Sequence, residues 1–435
     1  MIKLQSIPLM ATIAIIGTMD TKGEEHGFVA QLIRQRGHRT LIIDVGTLGE
    51  PRLKPDLTRH VVALAAGIEL DPVMARKDRG EAVTVMSRGA PLVLSRLVAD
   101  RKIDGVISLG GGGGTAIATA GMRALPIGFP KVMVSTLASG NTAQYVGVKD
   151  IVMFPSVADV AGLNRLSRQI LMRAAGAICG MVEMGLLTAG KTGALINNPA
   201  STDRPLIVAS QFGNTTACVE QARKVLETAG YEVMVFAATG TGGRTMESLI
   251  ESGLVAGVLD ITTTEWADEL VGGVLSAGPT RLEAAAKHGV PAIVTPGCLD
   301  MVNFGPPETV PAKFAGRNFY QHNPQVTLMR TLPDECRALG RIIAGKLNLS
   351  TGPITLLLPK RAISVISAPG QNFHDPAADE ALFSALKMEL RADIEVIEME
   401  SEINDPFFAQ ACANALLKNI AIGERTNPFG SGATT

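Results

Sequence analysis

The chain is 435 residues long, 46% hydrophobic and 19% charged, with 40 Lys and Arg against 41 Asp and Glu. That length exceeds one ordinary core and predicts two domains, and the hydrophobic content excludes a disordered or fibrous protein. A formal net charge of −1 excludes a general electrostatic pull toward nucleic acid or an anionic membrane, so neither is expected as a partner.

Aromatic residues are only 4% while glycines number 46, the composition of α/β proteins with small residues at helix–sheet contacts. Cys179, Cys218, Cys298, Cys336 and Cys412 are scattered without metal-ligand spacing, which predicts reduced thiols and a cytoplasmic protein. The opening MIKLQSIPLMATIAIIG has a Lys and an apolar run, but it closes on GTMDTK, which is a strand end and not a cleavage site. The best candidate for a membrane span, residues 174–187, is interrupted by Glu183, so no span is expected.

In chain order, the first half reads as a strand at 11–17, a helix at 24–36 and a strand at 39–44. A helix at 80–100, a strand at 103–109, a glycine turn, a helix to 125 and a strand at 131–136 follow. A short strand at 151–154 and a helix at 163–184 close this half. Strands that are continuous apolar runs alternating with helices predict a mostly parallel sheet covered on both faces. Residues 197–205, NNPASTDRP, read as a linker. The pattern then restarts, with strands at 206–212, 231–236, 254–259, 291–295, 354–358 and 394–397. The expected architecture is α/β: two tandem Rossmann-like domains with mostly parallel sheets, over 1–200 and 206–435.

Ligands in such sheets bind beyond the carboxyl ends of the strands. Three polar loops fall there in the first half. The first carries Thr18, Asp20, Thr21 and Lys22. The second is Gly110, Gly111, Gly112, Gly113, Gly114 and Thr115, and the third holds Ser135, Thr136, Ser139, Gly140 and Asn141. Consecutive glycines weaken a strand or a helix, but they let main-chain N–H groups approach an anion at a helix start. With the Lys22 ammonium and a carboxylate for a hydrated Mg²⁺, these loops form a phosphate-binding inventory. Asp44, ending the second strand, sits where Rossmann-type sites bind a ribose hydroxyl. Helix capping by Asp20 or Thr21 is the plainer alternative.

The stretch 185–192, with Gly190, Lys191 and Thr192, matches the P-loop pattern, but a long helix precedes it where the motif needs a strand. In the second half, Gly240 to Arg244 could form another anion site, and Arg244 and Arg330 could pair with carboxylate or phosphate. Cys298, Asp300, His322 and His374 leave acid–base work open, while no two lie at a spacing that fixes a metal.

The stretches IGTMDTK, SLGGGGGT, STLASGN, PGCLDMVNFG, HNPQVTLMRT, FHDPAADE and INDPFF occur in order along nearly the whole chain. As a set they resemble a family of largely uncharacterised bacterial proteins, together with the ATP-binding N-terminal half of a tomato protein that confers resistance to tomato mosaic virus. The resemblance implies two Rossmann-like domains, ATP as cofactor and a homodimer. It carries nucleotide binding onto Thr18, Asp20, Thr21, Lys22, residues 110–115 and 135–141. The antiviral property of the plant protein is specific to its partner and is not expected here, nor is the TIM barrel that follows in plant relatives.

Together these readings predict an ATP-binding protein, taken first as an enzyme for a small metabolite at a cleft between the two domains. A non-catalytic nucleotide-gated binding module and an enzyme for a phosphorylated or acyl substrate without ATP remain open.

Overall fold

The computed structural model describes residues 10–188 and 204–426. The chain divides into two compact units, Met1–Ser201 and Thr202–Thr435.

The first unit runs β1 (Thr12–Gly17), α1 (Met19–Gln35), β2 (Arg39–Asp44), α2 (Arg59–Ala65), α3 (Leu70–Ala75) and α4 (Arg79–Ala99). It continues through β3 (Gly105–Gly110), α5 (Gly112–Arg123), β4 (Lys131–Ser135), α6 (Ala143–Val146), β5 (Val152–Pro155) and α7 (Arg165–Thr188). The five strands are parallel in the order β2-β1-β3-β4-β5. Successive side chains of a strand point to opposite faces, and β1 divides accordingly. Ile13 and Ile15 pack against α1 and α7, while Ala14 and Ile16 face α4 and α5. Each fully buried Ile contributes roughly 1.5–3 kcal/mol, so both faces need their helices. The helix after β1 thus lies on one face and the helix after β3 on the other. The β1/β3 boundary is therefore a topological switch point, where the two strand ends open a crevice.

Helix α1 starts at Met19, five residues earlier than the expected helix, and keeps a kink at Lys22 (φ −129°, ψ 28°). Polar residues around Gly23 masked that first turn, which buried Met19 anchors. The short helices α2 and α3, absent from the sequence reading, cover one end of the α4 face. Contrary to the expectation of no spanning-length segment, Arg79–Ala99 and Arg165–Leu187 are each long and apolar enough to cross a membrane. Both bury a face against the sheet.

The second unit runs β6 (Leu206–Gln211), α8 (Thr216–Thr228), β7 (Glu232–Ala237), α9 (Thr241–Glu251), β8 (Gly257–Thr262), α10 (Glu265–Val271), α11 (Glu283–His288) and β9 (Ala292–Gly297). Then come β10 (Met301–Phe304), β11 (Phe319–Asn323), β12 (Val326–Arg330), α12 (Pro333–Leu347), β13 (Ile354–Pro359), α13 (Pro376–Glu389), β14 (Glu395–Met399) and α14 (Pro406–Thr426). Six parallel strands lie in the order β14-β13-β9-β8-β6-β7, with α8 and α14 on one face and α10, α12 and α13 on the other. A separate antiparallel sheet, β10-β12-β11, was not foreseen. The chain is thus two tandem Rossmann-like α/β domains with largely parallel sheets.

Residues 197–203 of the expected linker, and Gly190, Lys191 and Thr192 of the P-loop look-alike, lie outside the described residues. What leads toward that look-alike is helix α7, running through Gly185.

Candidate functional site

Gly110 ends β3, Gly111 takes the N-cap position (φ −82°, ψ −158°), and α5 begins at Gly112. The first closed helical bond runs from the Thr115 N–H to the Gly111 carbonyl at 2.8 Å. The N–H groups of Gly112, Gly113 and Gly114 therefore have no partner within the helix. Why glycine stands here can be tested on geometry. None of the five adopts a positive φ. A Cβ on Gly110 would come within 3.1 Å of the Gly114 Cα, but on Gly111 to Gly114 it would meet nothing closer than 3.4 Å. Neither backbone conformation nor packing requires glycine at those four positions. What they leave is a bare surface at the positive end of a helix.

The loop after β4 is fastened to this turn. The Thr115 and Ser135 hydroxyls lie 2.7 Å apart, Ser135 Oγ accepts from the Leu137 N–H, and the Thr136 N–H donates to the Gly110 carbonyl. Thr115 and Ser135, both expected to contact a ligand, are fully buried and instead brace the two loops. Gly140 closes a turn by donating to the Leu137 carbonyl, and Asn141 Oδ1 accepts from the Ala143 N–H at the start of α6. Thr136 and Ser139 line a pocket of about 310 Å³ with Ser156, Val157, Ala158 and Asp159.

Arg79 is a neighbour the sequence reading missed. It opens α4, whose cap is Asp78 accepting from the Glu81 N–H. Its Nη2 lies 3.8 Å from where a Cβ on Gly113 would stand, and among the described residues its guanidinium has no carboxylate partner. Only the packing of α4 on α5 brings the two together, and no local motif announces that.

The β1 loop behaves differently from expectation. Asp44 does not present a free carboxylate for a ribose. Its Oδ1 accepts from the Met19 and Gly46 N–H groups, and its Oδ2 accepts from Arg59 Nε at 2.8 Å. With Asp44 and Arg59 both buried, this pair fixes the β2 end and satisfies the first donor of α1. Asp20 is no cap for α1 either. Its Oδ2 accepts from the Leu48 and Gly49 N–H groups, and a Cβ on Gly46 would meet its Oδ1 at 2.3 Å. Thr21 donates its hydroxyl to that of Thr18 at 2.8 Å. Lys22 reaches the Val160 carbonyl, and Glu25 accepts from the Gly162 N–H, tying α1 to the loop after β5. Beneath them His26 is wholly buried, its Nδ1 bonded to the Lys22 carbonyl, and burial pulls its pKa down to about 4.

So the loops after β3 and β4 share one edge with Arg79, while the β1 loop fastens onto the loops after β2 and β5.

The second unit has filled the corresponding places with its own side chains. At the start of α9, Glu265 Oε1 accepts from the Gly240 and Gly243 N–H groups at 2.7 and 3.1 Å. The anion site expected from Gly240 to Arg244 therefore already holds a carboxylate. Arg281, 1% exposed, binds Asp260 with two nitrogens and also reaches Glu265 and Glu247. The crevice between β6 and β8 is closed by a 2.7 Å Thr215–Thr262 hydroxyl pair and by Ser210 donating to Asp260.

Arg244 donates to the Ser276 carbonyl and Arg330 to Asp379, so neither expected anion partner stands free. Burial pushes the Asp300 carboxyl up to about 6 against the pull of Arg330, and raises the Cys298 thiol. His322 is exposed on β11, and exposed His374 meets the Ser367 carbonyl through Nδ1, so no His–Asp300 pair forms. No group of three or more His, Cys, Asp or Glu suited to a metal occurs among the described residues.

Fold and site define a tandem Rossmann-like protein with one open glycine-lined helix start in its first half. Residues 11–186 match the N-terminal domain, and residues 204–420 the C-terminal domain, of the uncharacterised protein family UPF0261. The chain belongs to that family. A UPF0261 protein of Clostridium tetani is 50% identical over 406 residues, covering 93% of this chain and 98% of the relative. The tomato (Solanum lycopersicum) ToMV susceptible protein tm-1(GCR26) is 41% identical over 422 residues, which is 93% of this chain but 55% of the tomato protein. Among solved structures, a UDP-N-acetylglucosamine 2-epimerase from Rickettsia bellii aligns over 96% of this chain and 99% of its own. Its 12% identity and TM-score of 0.22 are too low to carry chemistry across.

Proposed function

We propose that the first unit binds ATP, with the phosphate chain on the N–H groups that open α5, and that the protein is a cytoplasmic enzyme for a small metabolite. One observation carries this reading: glycines 111–114, which neither backbone conformation nor packing requires. Bare donors at a helix start suit a phosphate, and the adjacent Arg79 adds a fork of charged donors. The Lys22 ammonium reaches the Val160 carbonyl in the loop after β5, and it is the motif resemblance that carries nucleotide binding onto it. The motif resemblance adds ATP as the nucleotide, and it carries a homodimer as a further expectation.

Calorimetry with ATP and Mg²⁺ tests the reading. Each charge-assisted contact is worth about 1.5–3 kcal/mol, so Arg79→Ala and Lys22→Ala should each weaken binding roughly 10- to 150-fold. An absence of binding heat from the unaltered protein overturns it. Binding without turnover across a metabolite panel would leave the nucleotide and replace the enzyme with a nucleotide-gated module.

A further inference from the structure

The pocket beside the glycine turn has its own chemistry. Its volume of about 310 Å³ is large enough for a sugar or a nucleoside, near the lower end of small-molecule sites. It shares a wall with the turn, since a Cβ on Gly111 would lie 3.7 Å from Thr136 Oγ1. Of its polar groups, Ser156 is already committed: its hydroxyl donates to the Ala158 carbonyl and its N–H to the Ser135 carbonyl. The Thr136 and Ser139 hydroxyls and the Asp159 carboxylate have no side-chain partner among the described residues. Val157, on the rim, adopts φ 65° while 76% exposed. A β-branched residue in that region costs on the order of 1–3 kcal/mol, and burial of its side chain does not repay it. The strained turn is what sets Ala158 and Asp159 at the pocket.

A carboxylate next to a phosphate site repels a further anion and favours neutral donors. Two vicinal hydroxyls match it best, since each can donate to one carboxylate oxygen. The usual carboxylate for that task, at the end of the second strand, is here consumed by Arg59. We propose that this pocket reads the ribose of the bound nucleotide, with Asp159 accepting from the 2′- and 3′-hydroxyls and Thr136 and Ser139 completing the contacts. This rests on the phosphate chain lying on the α5 start.

The test compares ATP, 2′,3′-dideoxy-ATP and inorganic tripolyphosphate by calorimetry on the full chain, unaltered and as Asp159→Ala and Thr136→Val. The unaltered protein should prefer ATP to the dideoxy nucleotide by about tenfold or more per lost hydroxyl. Asp159→Ala should erase that preference while leaving tripolyphosphate affinity unchanged or slightly improved. Because Asp159 is exposed, the variant keeps its fold, which its thermal transition verifies. Equal affinity for ATP and the dideoxy nucleotide, or an equal loss of ATP and tripolyphosphate in Asp159→Ala, overturns the ribose pocket and leaves the phosphate reading standing. Failure of tripolyphosphate and ATP alike to bind the unaltered protein overturns both.

Discussion

Replacing Gly112 and Gly113 with alanine separates the demands of folding from those of a ligand. A Cβ on Gly112 would meet Leu137 Cδ1 at 4.0 Å, and one on Gly113 would meet Val83 Cγ2 at 3.4 Å, both ordinary contacts. Alanine is also the better helix former, by up to about 1 kcal/mol per site in a helix interior and less in a first turn. The double variant should therefore unfold at the same temperature or up to roughly 4–8 °C higher, at about 2–4 °C per kcal/mol for a unit of this size. Ligand binding should respond in the opposite direction. Helical Cα–Cβ bonds tilt toward the N-terminus, so the new methyl groups project into the space an oxyanion needs to sit about 2.9 Å from the N–H donors. Loss of one such contact removes about 1.5–3 kcal/mol, a roughly 10- to 150-fold drop in affinity. Differential scanning calorimetry and titration with Mg²⁺-ATP read the two effects on one sample. A stable variant that binds ATP as well as the parent refutes the reasoning, and one that unfolds refutes the claim that the protein itself leaves this room.

Three further outcomes follow from the same geometry. Asp44→Asn leaves buried Arg59 without its counter-charge and should cost about 3–5 kcal/mol in thermal or urea unfolding, with nucleotide affinity of the folded protein unchanged. A selective loss of binding at unchanged stability would restore Asp44 to the ligand. His26 has its pKa depressed to about 4 in the fold against 6.5 when unfolded, so its contribution is intact above pH 6.5 and stability falls as pH drops from 6.5 through 4. That loss amounts to about 3 kcal/mol, and an imidazole seen by NMR to titrate near 6.5 in the folded protein would contradict it. Arg281→Met strands Asp260, Glu265 and Glu247 and should destabilise by about 3–5 kcal/mol at neutral pH, partly recovered in acid as Glu247, whose carboxyl burial already pushes up, protonates. Equal stability of parent and variant at pH 7 would show that the cluster is already neutralised.

Much of the frame was legible because parallel strands buried on both faces read as near-continuous apolar runs, as at Ile13–Ile16 and Val132–Val134. The glycine turn was legible for the same reason in reverse: five residues with no side chain between a strand and a helix need an explanation. The β10-β12-β11 sheet was not, since its strands are short and edged by Asn, Gln, His and Pro, which read locally as turns. Pairings across the fold were equally hidden. Nothing local distinguishes Asp44 facing Arg59 from Asp44 facing a ribose, or Thr115 facing Ser135 from Thr115 facing a phosphate. Arg79 was invisible until α4 lay along α5. Polar residues at strand ends advertise an edge, while their partners are chosen by tertiary packing.

Glu265 supplies the second unit with a permanent tenant for its own helix start. A side chain tethered to the neighbouring helix is present at an effective concentration no free anion in solution approaches, so that socket cannot be loaded by mass action. Titrations should accordingly saturate at one equivalent per chain despite the doubled architecture. The second half thus keeps a closed copy of the helix start that the first half leaves open.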